Sequence, residues 1–155
     1  MDFVTGDQNY SPVQLLEDGK ERLWVVNSGG FLCRKKGEKK FHTYAELKGV
    51  KKVALSTTGH LYAATVRSGV YVYDEQTDRF HQVATAEDMG GPISGFNSWW
   101  NGRMFIGTDG GGLRIYDEKT GKLSKSTISV KDFDFSTGNV NDAIRDAYGN
   151  VWVAI

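Results

Sequence analysis

An all-β chain assembled from a repeated four-stranded antiparallel unit is predicted by three observations. An aromatic anchor recurs at intervals of 38, 43 and 47 residues, a glycine opens a second apolar segment after it, and glycine- and asparagine-rich turns separate the segments. The anchors are Trp24, Tyr62, Phe105 and Trp152. Three close a shared phrase: Gly59-His60-Leu61-Tyr62, Gly102-Arg103-Met104-Phe105 and Gly149-Asn150-Val151-Trp152. A glycine-free copy, Glu21-Arg22-Leu23-Trp24, comes first. Repeats of about 40 to 50 residues mark solenoids and propellers. The expected architecture is a β-propeller fragment of about three and a half four-stranded antiparallel blades.

Each element follows from the pattern. An apolar pair precedes the anchor in three copies, at Leu15-Leu16, Val53-Ala54 and Ala143-Ile144, and Phe96 stands there in the third. The anchor begins a second strand. Gly30, Gly69 and Gly112 open a third, over Phe31 to Arg34, Val70 to Asp74 and Leu113 to Asp117. Eleven residues after each of these glycines come Phe41, Phe80 and Leu123, which mark a fourth. Apolar runs of four to seven residues bounded by Gly, Asn, Asp and Ser read as strands. Thr57-Thr58-Gly59 and Asn101-Gly102 read as tight hairpin turns, because glycine supplies positive φ and asparagine tolerates it. Residues 42 to 48 and 84 to 89 have room for one helical turn at most. The predicted blades span 12–49, 50–92 and 93–139, with an incomplete one at 140–155.

Composition narrows the function classes. Lys and Arg total 19 and Asp and Glu total 19, so the chain has no electrostatic footprint for nucleic acid or an anionic membrane. The basic stretches 34–40 and 48–52 read as solvated turns. No apolar run is long enough to span a membrane. Residues 1 to 15 show neither the basic nor the apolar region of a secretory leader. Cys33 is the single cysteine and has no partner for an intrachain disulfide. On a predicted third strand it reads as a small buried hydrophobe.

No catalytic constellation emerges, and neither a cofactor nor a metal is expected. His42, His60 and His81 sit at unrelated offsets in the repeat and have no ligand spacing. The acidic pairs Glu17-Asp18, Glu87-Asp88 and Asp117-Glu118 fall in turns or at strand ends, where they serve as turn formers rather than as an acid/base pair. Gly107-Thr108-Asp109-Gly110-Gly111-Gly112 lacks the lysine and the helix of a phosphate loop. A non-enzymatic role is therefore expected.

The phrases Asp146 to Ala154 and Gly107 to Asp117 resemble the two-component-regulator propeller repeat, and the resemblance extends over residues 12 to 155. It implies seven-bladed propellers in the periplasmic sensor of hybrid histidine kinases of the Bacteroidetes type. It also implies an extracytoplasmic location and oligosaccharides as a plausible ligand class. The chain departs from the pattern at Tyr62 and Phe105, where tryptophan is usual. It departs again at Ser28-Gly29-Gly30 and Arg67-Ser68-Gly69, where the triple glycine is missing. The fourth copy stops at Ile155 within its second strand. A fragment of a sensor, or a homodimer in which two copies complete a ring, is therefore expected.

Loops between second and third strands, at 27–30, 65–69 and 108–112, share one end of such a fold with the blade connections at 42–49, 84–92 and 129–139. Arg67 and Asp109 lie in the first set and are candidates for bonding sugar hydroxyls, against the simpler role of solvating turns. Trp99 and Trp100 occupy a hairpin where other copies carry Ser56-Thr57 or Asp146-Ala147. They are candidates for ligand or partner contact at the opposite end, against packing between blades. The leading function is a sensor module that recognises a ligand. The alternative is a non-catalytic protein-interaction scaffold.

Overall fold

Four copies of one turn set the strands. In each, the backbone N–H six residues before the anchor donates to a carbonyl four residues on. The pairs are Asp18 to Arg22 (3.1 Å), Ser56 to His60 (2.8 Å), Trp99 to Arg103 (2.7 Å) and Asp146 to Asn150 (3.0 Å). Three residues before the anchor the backbone is left-handed, at Gly59, Gly102 and Gly149. Glu21 takes the same conformation in the glycine-free copy, at φ 57°. Such a φ is uncommon outside glycine, so the first copy keeps the turn at a conformational cost.

The computed structural model describes residues 12–28, 30–131 and 133–155; residues 1–11, Gly29 and Asp132 lie outside them. Strands β1 (Pro12–Glu17), β2 (Leu23–Asn27), β3 (Gly30–Arg34) and β4 (His42–Thr43) form the first sheet. The second contains β5 (Val50–Leu55), β6 (Leu61–Thr65), β7 (Gly69–Asp74) and β8 (Arg79–Thr85). The third contains β9 (Ile93–Ser98), β10 (Arg103–Thr108), β11 (Gly112–Asp117) and β12 (Lys122–Lys125). All three are antiparallel, with neighbours in chain order. The chain is thus all-β and built on four-stranded antiparallel sheets.

Helix α1 (Ala86–Met89) links the second and third sheets, started by a Thr85–Asp88 capping box and ended at Gly90. The segment 129–139 is more than a connection. It holds a short hairpin, β13 (Ser129–Val130) with β14 (Phe133–Asp134), pinned by Phe133 packed 4.5 Å from Phe135. Strand β4 has only two residues and leaves Phe41 outside it, under the Arg34 guanidinium. The chain closes with a two-stranded sheet of β15 (Asp142–Arg145) and β16 (Val151–Ala154).

Apolar clusters between consecutive sheets hold the stack together. Trp24 is enclosed by Phe31 and Tyr44 of its own unit and by Tyr73 and Phe80 of the second sheet, with centroids 4.9–5.9 Å from its ring. Tyr62 meets Tyr116 of the third sheet at 5.8 Å. Phe105 packs among Phe135, Val140 and Ala143. The first three anchors are therefore each covered by residues from later in the chain. Exposure is 0% for Trp24, 3% for Tyr62 and 1% for Phe105, but 61% for Trp152.

In the first and fourth copies the turn residue six positions before the anchor also fixes the anchor's indole N–H. Asp18 accepts the Trp24 indole N–H at 2.8 Å, and Asp146 accepts that of Trp152 at 3.1 Å. Phe105 has no donor, and Trp99 stands at the aspartate position and stacks on it at 4.5 Å and 17°. An acceptor there would face a hydrocarbon ring, so the swap of both partners preserves the contact.

In the second unit the Tyr62 hydroxyl donates across the sheet boundary to Glu118 at 3.0 Å, joined by Thr58, His60 and Ser56. Burial raises the Glu118 pKa, but hydrogen bonds from Thr58, His60, Tyr62 and Ser56 outweigh it and hold the carboxyl below its ordinary value. A depressed carboxylate contributes stability above its unfolded pKa, and that contribution disappears as pH falls through the folded one. Glu118→Gln should therefore cost about 1–3 kcal/mol at pH 7. It should also flatten the stability loss below an ordinary glutamate pKa of 4.5. Urea titrations at pH 7 and pH 3.5 check this; an equal deficit at both would contradict it.

Candidate functional site: a cleft at the loop end of the first two sheets

The first strands share an irregularity that no turn signal marks. The register of β1 against β2 slips between Pro12 and Gln14, leaving Val13 extra. The same slip leaves Lys51 extra on β5 and Ser94 extra on β9. These are equivalent positions in the repeat. A bulge bends its strand and re-aims the extra side chain. Val13 and Lys51 both line a cleft of about 640 Å³ where the first sheet meets the start of the second.

Its walls come from the β2–β3 turn and from the connection between β4 and β5. Val13, Ala45, Val50 and Val66 give it apolar lining, the buried residues Phe31, Tyr44 and Leu47 lie at its base, and Ser28 and Thr43 add hydroxyls. Tyr44 is held from behind, donating its hydroxyl to Asp78 at 2.7 Å. Burial, together with the carboxylate, pushes the Tyr44 phenol above its ordinary range. At Asp78, burial raises the pKa, but hydrogen bonds from Lys35, Tyr73 and Tyr44 override this and set it at about 2. The ring is thus a fixed part of the packed cluster rather than a titrating group. Among the described residues, the charged ones lining the cleft are Lys48 and Lys51.

One residue along from each bulge lies a row of equivalent positions: Gln14, Lys52, Gly95 and Asp142, opposite Val26, Ala64, Gly107 and Ala154. Gln14 exchanges two 2.8 Å hydrogen bonds with the backbone of Val53 and ties the first sheet to the second. Lys52 pairs with Asp142, which also accepts the Asn97 amide at 2.6 Å. Gly95 makes this possible. A Cβ there would stand 2.5 Å from the Asn141 carbonyl oxygen and 2.9 Å from Asp142 Oδ1.

The residues singled out from the sequence fall at two separated ends. Arg67 is exposed in the β6–β7 turn, next to Val66, which borders the cleft. Asp109 is exposed in the β10–β11 turn, its backbone N–H donating to Pro92 at 2.9 Å. Neither side chain has an ion pair or hydrogen bond among the described residues. Trp99 is half-buried on Phe105, and the Arg103 guanidinium lies 5.8 Å from its ring centroid. Trp100 is 58% exposed, with the Arg145 guanidinium 5.7 Å from its ring. The length of β10, about 20 Å, separates the tryptophans from Asp109.

Lys48 and Lys51 were not among those residues, nor was Arg114. Arg114 is only 7% exposed and donates to the Ser136 carbonyl at 3.2 Å. Burial pulls its pKa below the ordinary value, and no carboxylate pairs with it among the described residues. Leu32 and Tyr71 hold this position in the first two copies, so a comparison down that column of the repeat would have flagged it. Cys33 is buried and its thiol is pushed up to about 12 by that burial, which suppresses the thiolate. Among the described residues, no helix is long and apolar enough to cross a membrane, and no group of three His, Cys, Asp or Glu is placed to hold a metal ion.

No protein-family model matches the sequence, and no curated protein matches it. Solved structures do. The chain is similar to the extracellular domain of a protein of B. thetaiotaomicron assigned to one-component systems. The TM-score is 0.72 and the identity 21%, over 97% of this chain and 23% of that one. It is similar to the extracellular domain of a protein assigned to hybrid two-component systems in the same organism. Here the TM-score is 0.69 and the identity 15%, over 90% of this chain and 18% of the other. An auxiliary nutrient binding protein from Bacteroides thetaiotaomicron matches with TM-score 0.69 and 16% identity, over 94% of this chain and 36% of that one. The chain spans well under half the length of each of these structures. At such identities the likeness is one of fold.

Proposed function

We propose that the chain is part of an extracytoplasmic β-propeller sensor that recognises an oligosaccharide without transforming it. In this reading each sheet is a blade and the first strands line the axis. The binding signal passes to a histidine kinase elsewhere in the parent protein. The observation that carries the proposal is the cleft at the loop end, where the extra residues of bulges in two adjacent first strands, Val13 and Lys51, line a space floored by a rigid aromatic cluster. Pockets of several hundred Å³ with apolar walls and a few convergent polar groups are typical ligand sites. The described residues lining this one include no carboxylate, histidine or cysteine. The folds shared with extracellular domains support the location.

The scaffold reading has its own observation. Ile144, Tyr148 and Trp152 on the last hairpin are 50%, 93% and 61% exposed, and Val13 and Leu15 on β1 are 68% and 53% exposed. Two copies could bring such faces together as a homodimer. One experiment separates the readings. Calorimetric titration of the 155-residue chain with a panel of neutral and acidic oligosaccharides should give a Kd below about 1 mM for at least one. Ala45→Trp, which fills the cleft from an exposed wall, should abolish it without shifting the melting temperature. Self-association by light scattering with no sugar bound would instead favour the scaffold.

A further inference from the structure

We infer that the cleft selects sugars bearing an anionic group, a carboxylate or a sulfate, and that Lys51 and Lys48 are the cations that recognise it. The inference rests on the oligosaccharide reading and narrows it to a substrate class.

The bulge determines where the charges point. Successive residues of a strand face opposite sides, and the extra residue of a bulge is turned out of the ladder. Lys52 keeps its place in the ladder and meets Asp142. Lys51, the extra residue, opens onto the cleft. The fold itself does not require a base there. Val13 and Ser94 occupy the same bulge in the neighbouring units, so an apolar or a small polar residue serves equally well.

The charge is also uncompensated. Lys20, Lys35, Lys36 and Lys52 each meet a carboxylate. Among the described residues, Lys48 and Lys51 meet none, and no Asp or Glu lines the cleft. Glu46 lies on the same connection but is not among the described lining residues, and the exposed Arg67 follows Val66, which is. Two cations over apolar walls focus a positive potential, because low-dielectric surfaces screen charge poorly. Ammonium groups are compact point charges without the planar fork of arginine, so they serve carboxylate and sulfate alike.

The test uses trigalacturonate, its neutral methyl ester and a sulfated galactose trisaccharide, titrated calorimetrically into the 155-residue chain at low and physiological salt. At least one charged sugar should bind about tenfold more tightly than the ester, with the advantage reduced by salt. The pair K48M/K51M should lose about tenfold for that sugar and nothing for the ester, at unchanged melting temperature. The pair K119M/K122M, on the distant β11–β12 turn, should lose nothing. Which charged sugar binds identifies the anion. Equal binding of ester and acids, unaffected by K48M/K51M, overturns the inference and leaves the oligosaccharide reading standing. An equal loss in K119M/K122M overturns it as a non-specific charge effect. Binding of none of the three overturns the inference, while a neutral sugar from the wider panel that still binds preserves the broader reading.

Discussion

Trp24→Ala is expected to lower unfolding stability by about 3–5 kcal/mol, and Trp152→Ala by less than about 1 kcal/mol. The two residues hold the same position in the repeat, follow the same turn and donate to the same kind of aspartate. They differ in cover. Trp24 is fully buried among four rings, two supplied by the second sheet, whereas Trp152 is 61% exposed. Truncating Trp24 opens a cavity in a packed cluster and removes one of the donors that Asp18 accepts. Urea denaturation of both variants measures the difference. Similar losses would show that the anchor acts through its turn hydrogen bond rather than through the sheet laid over it.

Gly95→Ala is expected to destabilise the chain by about 1–3 kcal/mol and to loosen the last hairpin selectively. The added Cβ would stand 2.5 Å from the Asn141 carbonyl oxygen and 2.7 Å from the Asp142 Cα. These are backbone atoms, so no side-chain rotation relieves the clash. Gly107, directly opposite on β10, allows an equally close approach, 2.3 Å from the Val140 carbonyl oxygen. The strand carrying Asp142 therefore closes onto β9 and β10 only where two glycines face it. Hydrogen exchange should show faster exchange in 142–154 and little change in the first sheet. Gly110→Ala is the control: its φ of 92° is unfavourable for alanine, but nothing lies within 4 Å of the new Cβ. If the two substitutions loosen the last hairpin alike, the close approach is not what holds it.

The strands were legible because their signals are local. Trp24, Tyr62, Phe105 and Trp152 mark second strands, and Gly30, Gly69 and Gly112 open third ones. The hairpin of β13 and β14 was not, because two-residue strands lack enough alternation to show a period. The bond from Asp18 to Trp24 and its echo at Asp146 and Trp152 were readable at a fixed offset of six residues. The same offset explains Trp99, which looked anomalous while it was compared only with Ser56 and Asp146. The cleft was hidden for a different reason. A bulge arises from register between strands, and nothing in Val50-Lys51-Lys52 announces which lysine leaves the ladder. Arg67 and Asp109 stand out in the sequence as polar residues in turns, yet the described charges lining the cleft are Lys48, on the connection from one sheet to the next, and Lys51, at the bulge of β5.

Cover completed by a later unit gives the chain a direction in time. Tyr73 and Phe80 lie 49 and 56 residues after the tryptophan they enclose. A chain delivered N-terminus first, at about 5–20 residues per second, presents Trp24 several seconds before its lid exists. Cys33, sealed in the same cluster, stays open to oxidants for that interval. The first sheet thus emerges before the second and third but cannot close until the second has arrived. A chaperone with affinity for aromatic strands would meet it in that window, and each later sheet would release its predecessor in turn.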